Sequence, residues 1–142
     1  MNPRALSIKQ PWAWAIVTGN KDIENRSRVT HLREPLLIHA GLRFSDEGFG
    51  FLERHGISCP SEDELPTGAL VGMAELTDCV KESGSPWGHA DYWHWILSSP
   101  LEFRKPIDYP GSLGFFRPAI SSRQFAALKA NAIHHRKRRL PK

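Results

Sequence analysis

Cysteine is scarce in this chain: Cys59 and Cys79 are the only two in 142 residues, with no C-x-x-C pair and no tight Cys/His grouping. That excludes a disulfide framework and a finger-type zinc site, and it leaves both as free thiols. Long apolar runs are missing as well. Nothing approaches the ~18 consecutive apolar residues of a membrane span, and the opening MNPRALSIKQ holds no signal-peptide core. The expectation is a soluble, intracellular, cytoplasmic protein with no membrane partner. Internal repeats, a Walker loop, a G-x-S-x-G elbow, an H-E-x-x-H pair and EF-hand spacing are all absent, which removes support from most cofactor-dependent and hydrolase classes. Histidines are scattered along the chain, apart from the neighbours His134 and His135, so no metal and no cofactor is expected.

The body of the chain also lacks a basic surplus, despite a formal charge of +4. Five basic residues and no acid fall in residues 134–142, which leaves 14 basic against 15 acidic residues elsewhere. The remaining charge is uneven. Residues 1–40 carry Arg4, Lys9, Lys21, Arg26, Arg28 and Arg33 against three acids, whereas residues 44–66 carry six acids against Arg54. Faces of opposite sign suit a directional anionic ligand. The length is one domain's worth, enough to bury about two-thirds of the unfolded surface.

What is present concentrates in residues 6–28, LSIKQPWAWAIVTGNKDIENRSR. Alternation over residues 5–8 predicts the end of a half-buried strand. Pro11 suits a first helical turn, the all-apolar residues 12–17 predict a helix lying in the core, and Gly19 with Asn20 supplies a left-handed stop. Residues 23–28 read as an extended segment that cannot be buried on both faces. A helix over 11–18 rises only ~12 Å at ~1.5 Å per residue. Lys9 and Gln10 ahead of it and the polar residues behind it are therefore expected to border one cleft, with the helix start beside Lys9 as an anion site.

The run Leu6-Ser7-Ile8-Lys9-Gln10-Pro11-Trp12-Ala13, followed by Gly19, Glu24 and Arg26, resembles the opening of ASCH domains, named for homology to activating signal cointegrator 1. Residues 36–40, 68–72, 76–79 and 111–116 fit in order, so the resemblance covers roughly residues 5–117, with KQPWA its most specific piece. It implies an α+β fold: a small PUA-like β-barrel with flanking helices bordering a cleft associated with RNA. A single domain is expected over residues 1–133. Residues 134–142 show no apolar periodicity and read as a basic, disordered tail.

Further along, residues 36–40 predict a central strand with His39 at its exit, either a satisfied near-core histidine or a cleft-lining one. A helix starting at Ser45, with Phe44, Phe51 and Leu52 on one face, is weakened by Gly48 and Gly50. Residues 69–80 form the longest strand candidate, with Gly72 at a bend. Glu75 shares the face of Val71 and Met73 there and needs a partner, either an ion pair with an arginine such as Arg26 or a role as cleft acid or base. Trp93 and Trp95 are expected to pack on a strand over 92–97, whereas Trp87 sits in the loop 82–91 and is open to either packing or stacking. A strand over 101–107 stops at Pro106. Glycines in the turn 109–116, around Ser112, allow backbone to approach a ligand closely. Ser121 and Ser122 cap a last helix with Phe125, Leu128 and Ala132 facing the core.

The first functional expectation is a binding module for single-stranded RNA or a modified nucleotide. Lys9, Lys21, Arg26 and Arg28 would hold phosphate, Gln10 and Glu24 would read base edges, Trp12 would stack, and His39 and Ser112 would complete the lining. The second is a hydrolase. Some ASCH proteins look like acetylcytidine amidohydrolases with a Lys-x-x-Thr pair after the first helix; here Lys21 is in place, but Glu24 stands where that threonine nucleophile would be. Glu24 or Glu75 would then serve as general base with Lys21 stabilising charge, and a ribonuclease of the ASCH kind would use Lys9, Lys21 and Glu24. The third is a transcription-coregulator interaction module, which rests on fold analogy alone.

Overall fold

The computed structural model describes residues 2–140. In chain order the elements are β1 (Arg4–Gln10), α1 (Trp12–Val17), β2 (Ile23–Arg26), β3 (Pro35–Phe44), α2 (Asp46–Arg54), β4 (Ala69–Val80), β5 (Trp93–Asp108), β6 (Phe115–Phe116), α3 (Ser122–Ala130) and β7 (Ala132–His134). The strands join in one sheet of order β2-β5-β4-β3-β1-β6, and β7 pairs with the second half of β5. Only β1 and β3 run parallel. No helix is long and apolar enough to cross a membrane among the described residues.

The sheet separates two cores. Leu6 and Ile8 of β1 point to the α1 side, where Ile16, Val17, Leu36, Ile38, Leu76 and Trp95 are buried. Ala5, on the opposite face, joins Leu37, Leu70, Phe103 and Leu128 under α3. Each fully buried branched aliphatic or aromatic side chain contributes ~1.5–3 kcal/mol of transfer free energy, so the strand alternation positions both helices. Gly72 is what brings α1 close to the sheet. A Cβ there would lie 2.2 Å from the Leu101 carbonyl oxygen and 2.5 Å from Val17 Cγ1.

An α+β architecture is what the structure shows, but the expected barrel is not confirmed, because the two ends of the sheet do not pair. β6 is two residues long and pairs with Ala5 and Leu6 of β1, β2 pairs with β5, and no ladder closes the gap between these two edges among the described residues. Arg26 spans it instead, its Nη2 donating to the Ser7 carbonyl at 3.0 Å.

Other expectations change in detail. The two strands read at 92–97 and 101–107 are one element, with Pro100 and Pro106 inside it and Ser99 at φ 51°. Pro106 is tolerated because the β7 ladder has already ended at Phe103, so no partner on that side needs its N–H. The last helix stops at Ala130, and Ala132 belongs to β7 rather than to a helical face. The segment read as a disordered tail lies against the body over its described part: the Arg138 N–H donates to the Gly19 carbonyl at 2.7 Å, and His135 Nε2 meets Glu102 at 2.9 Å. Residues 141 and 142 fall outside the described residues.

Candidate functional site

The site is built on the six residues of α1. Pro11 occupies the N-cap and brings no N–H. Gln10 accepts the Trp14 N–H on its Oε1 at 2.9 Å and donates from Nε2 to the Pro66 carbonyl at 3.0 Å. With 1% of its surface exposed, Gln10 is a buried clamp, not a reader of base edges. The anion site expected at the helix start is thus occupied by the chain's own amide oxygen. At the other end the Thr18 hydroxyl donates to the Trp14 carbonyl at 2.7 Å and Gly19 adopts φ +83°. The chain then doubles back, with the Lys21 N–H donating to the Ala15 carbonyl at 2.8 Å.

That reversal lays Lys21 beside the first turn of its own helix. Its Nζ sits 4.8 Å from the centre of the Trp12 ring and 2.9 Å from Glu24 Oε1. Glu24 Oε2 accepts from Arg26 Nε at 3.1 Å, and Nη2 lies 3.0 Å away. Lys21 is 5% exposed and Glu24 7%. Burial alone would push the Glu24 carboxyl up, but the Lys21 ammonium and Arg26 guanidinium, with the hydrogen bonds from both, outweigh it and hold the carboxyl below its usual range. Glu24 is therefore an ionised hub between two cations. Alternation on β2 explains the arrangement, since Glu24 and Arg26 share a face across from Trp95 and Trp93.

Around this hub opens a cleft of about 580 Å³, lined by Ile8 and Lys9 of β1, Trp12, residues 24–27, Glu47 and Phe51 of α2, and Trp87, His89 and Tyr92. One wall is aromatic. Trp12 meets Phe51 at 5.9 Å and Trp87 at 6.2 Å, and Phe51 meets Trp87 at 4.6 Å between ring centres. α2 gets this close because Gly48 has no side chain; a Cβ would lie 2.9 Å from Pro11 and 3.1 Å from Trp12. Asn25 ties the opposite loop in place, accepting the His89 N–H at 2.8 Å and donating to the Trp87 carbonyl at 3.0 Å.

The structure brings together Lys9, Trp12, Lys21, Glu24 and Arg26 from the expected set. Arg28 instead faces a neighbouring hollow of about 520 Å³ that it shares with Arg26 and Phe115, its carbonyl accepting Trp95 Nε1 at 2.9 Å. His39 is mid-strand and buried away from the cleft, between Ser7 Oγ at 2.8 Å and the Tyr109 carbonyl at 2.6 Å. Because a carbonyl only accepts, Nε2 donates there and Nδ1 takes the Ser7 hydroxyl proton. Ser112 lies exposed in its turn, outside the cleft. Glu75 is exposed on β4 in register with Pro35 and Ser98, so it is neither a partner of Arg26 nor a cleft acid. Its strand is covered on both faces only as far as Ala74. Residues that the sequence did not single out for the site are Asn25, Glu47, Phe51 and Tyr92. No group of three or more histidine, cysteine or acidic side chains is placed to hold a metal ion among the described residues.

The model of the ASCH domain matches residues 6–107. The chain belongs to the ASCH domain family. The ASCH match begins at Leu6 and takes in every cleft element, and α3 and β7 lie beyond it. Activating signal cointegrator 1 from Mus musculus is 35% identical to this ASCH chain over 83 residues, and its Homo sapiens counterpart 31% over 83. Each alignment covers 54% of this chain and 14% of the relative, so the chain spans a small part of those proteins. The crystal structure of ASCH from Zymomonas mobilis superposes with a TM-score of 0.57 at 15% identity, covering 93% of this chain and 96% of that one. A point mutant of that protein gives 0.59 at 15% identity, covering 94% and 100%. At such identity the likeness speaks for the ASCH fold alone.

Proposed function

We propose that this ASCH domain takes a single-stranded RNA, or one modified nucleotide, into the cleft around residues 9–26. The supporting observation is that the half-buried rings of Trp12 and Phe51, backed by the buried Trp87, line the same cleft as a set of cations. Lys9 is exposed on the rim, and Arg26 presents a guanidinium whose Nη1 makes no hydrogen bond among the described residues. A base stacked on such a wall contributes ~1–3 kcal/mol, and an unpaired strand can offer its base faces to a narrow cleft where a duplex cannot. Glu24 is not a base reader in this arrangement, since both its oxygens are already bonded to cations. The floor is donor-rich and suits phosphate or a base edge that bears acceptors.

Lys9→Ala removes a rim charge that has no hydrogen bond or ion pair among the described residues, so it leaves the fold intact. It should weaken binding of a labelled oligouridylate in fluorescence anisotropy, and lower the slope of log K against log salt by ~0.7. Tyr92→Ala removes an exposed, uncharged ring from the cleft lining, and should weaken binding without changing that slope. Wild-type affinity for both variants across the salt series would end the proposal.

A hydrolytic reading has one observation in its favour: Lys21 and Glu24 lie together at the cleft floor. Against it, a carboxylate held below its usual range and bonded to two cations is a weak general base. Turnover of acetylcytidine or single-stranded RNA by the purified protein, abolished in Glu24→Gln, would raise this reading above the first.

A further inference from the structure

The described part of the basic C-terminal segment is seated beside the cleft. Arg138 donates from its backbone to the Gly19 carbonyl at 2.7 Å and from Nε to the Thr18 carbonyl at 3.2 Å. Lys137 pairs with Asp22 at 2.9 Å. Leu140 packs against the cluster of Ala15, Ile23 and Trp87, the last of which also forms the cleft wall. A Cβ on Gly19 would lie 2.4 Å from the Arg136 carbonyl oxygen, so the seat requires glycine at that position.

This seating places Lys137, Arg138 and Arg139 around a second hollow of about 620 Å³. Pro86 and Trp87 edge it, and the same two residues edge the aromatic cleft, so the hollows meet at one ridge. Asp22 is the one acid of the second hollow, and both its oxygens are engaged, by Lys137 and by the Ser85 hydroxyl at 2.6 Å. The Lys137 side chain is 69% exposed, and Arg139 makes no hydrogen bond or ion pair among the described residues. Their free N–H groups are available to an anion.

We infer that the two hollows form one continuous track, and that the ligand is a single-stranded polynucleotide rather than a free nucleotide. A base stacks in the aromatic cleft, and the flanking backbone crosses the ridge at Pro86 to bring phosphates to Lys137 and Arg139. The inference rests on the nucleotide reading of the cleft and adds the ligand's length and direction of exit. An acidic peptide would use the cations but has no flat rings for the wall of Trp12, Phe51 and Trp87. A polynucleotide uses both.

The test compares uridine monophosphate with a labelled twelve-residue oligouridylate on the full chain, for wild type, Lys9→Ala and a Lys137→Ala/Arg139→Ala variant that keeps Leu140. The tail variant should bind the oligomer about 10-fold more weakly with a salt slope lower by ~1.4, two contacts at ~0.7 each, and bind the monophosphate as wild type does. Lys9→Ala should weaken both ligands. A tail variant equal to wild type on the oligomer, beside a weakened Lys9→Ala, overturns the track and leaves the cleft reading standing. Oligomer binding that falls with the tail variant but not with Lys9→Ala overturns both. Displacement of the oligomer by polyglutamate of equal charge as effectively as by unlabelled oligomer also overturns the track.

Discussion

Replacing Glu24 by glutamine should destabilise the fold in a way that depends on pH. The substitution preserves shape but removes the carboxylate charge that pairs with both Lys21, whose side chain is 4% exposed, and Arg26, whose side chain is 29% exposed. Removing one partner of a buried ion pair costs ~3–5 kcal/mol. The lower end applies here, because the glutamine oxygen still accepts one hydrogen bond and the guanidinium can turn toward water. A loss of about 3 kcal/mol is a large share of the ~5–15 kcal/mol that holds a domain together. At a urea dependence of ~1–3 kcal/mol/M the midpoint should fall by about 1–3 M, read from tryptophan fluorescence at pH 7. The folded-state pKa of Glu24 is lowered, so its stabilisation is complete above the unfolded pKa near ~4.3 and is lost as pH falls through the folded value. The gap between wild type and variant should therefore close in acid. Lys21→Met combined with Glu24→Leu should recover most of the loss, since paired apolar replacement of a buried ion pair is often neutral. A midpoint unchanged at pH 7, or a gap that ignores pH, would refute the account of Glu24 as a charge hub.

Gly72→Ala forces a methyl against the Leu101 carbonyl and Val17, and should cost ~1–3 kcal/mol or more as an overpacking change; an unchanged melting temperature contradicts the close approach of α1 to the sheet. Gln10→Leu strands the Trp14 N–H and the Pro66 carbonyl at ~1–3 kcal/mol each, yet oligouridylate affinity measured below the melting transition should match wild type, and a loss of affinity would return Gln10 to the cleft. Burial pushes the Cys59 thiol up to about 11, so iodoacetamide should label it slowly at pH 8 and faster as pH rises; rapid labelling at pH 8 argues against the half-buried thiol.

The cleft was legible because its determinants are local. Pro11 and Gly19 bracket so short a helix that residues on either side of it had to lie near one another, and Lys9, Trp12, Lys21, Glu24 and Arg26 do meet there. Gln10 was misplaced for the opposite reason: a polar residue before a helix looks solvated until Pro66, 56 positions away, supplies the acceptor that lets it bury. Glu75 needs no partner because beyond Ala74 only one face of β4 stays covered: Leu76 is still buried, whereas Glu75 and Thr77 on the other face reach solvent. The seating of the C-terminal segment depends on Arg138 meeting Thr18, 120 residues earlier, a relation that no local pattern carries. Closure of the barrel depends on whether β2 meets the far edge of the sheet, a long-range relation with no local signature; β6 is two residues long and its ladder is with β1.

The two bonds from Asn25 end on main-chain atoms, the His89 amide and the Trp87 carbonyl, and on no side chain of that loop. The cross-tie is therefore indifferent to what the loop displays, and it moves with the same β2 that carries Glu24 and Arg26. New side chains at His89 or its exposed neighbours would therefore line the same cleft as Glu24 and Arg26 while the main-chain tie stays in place.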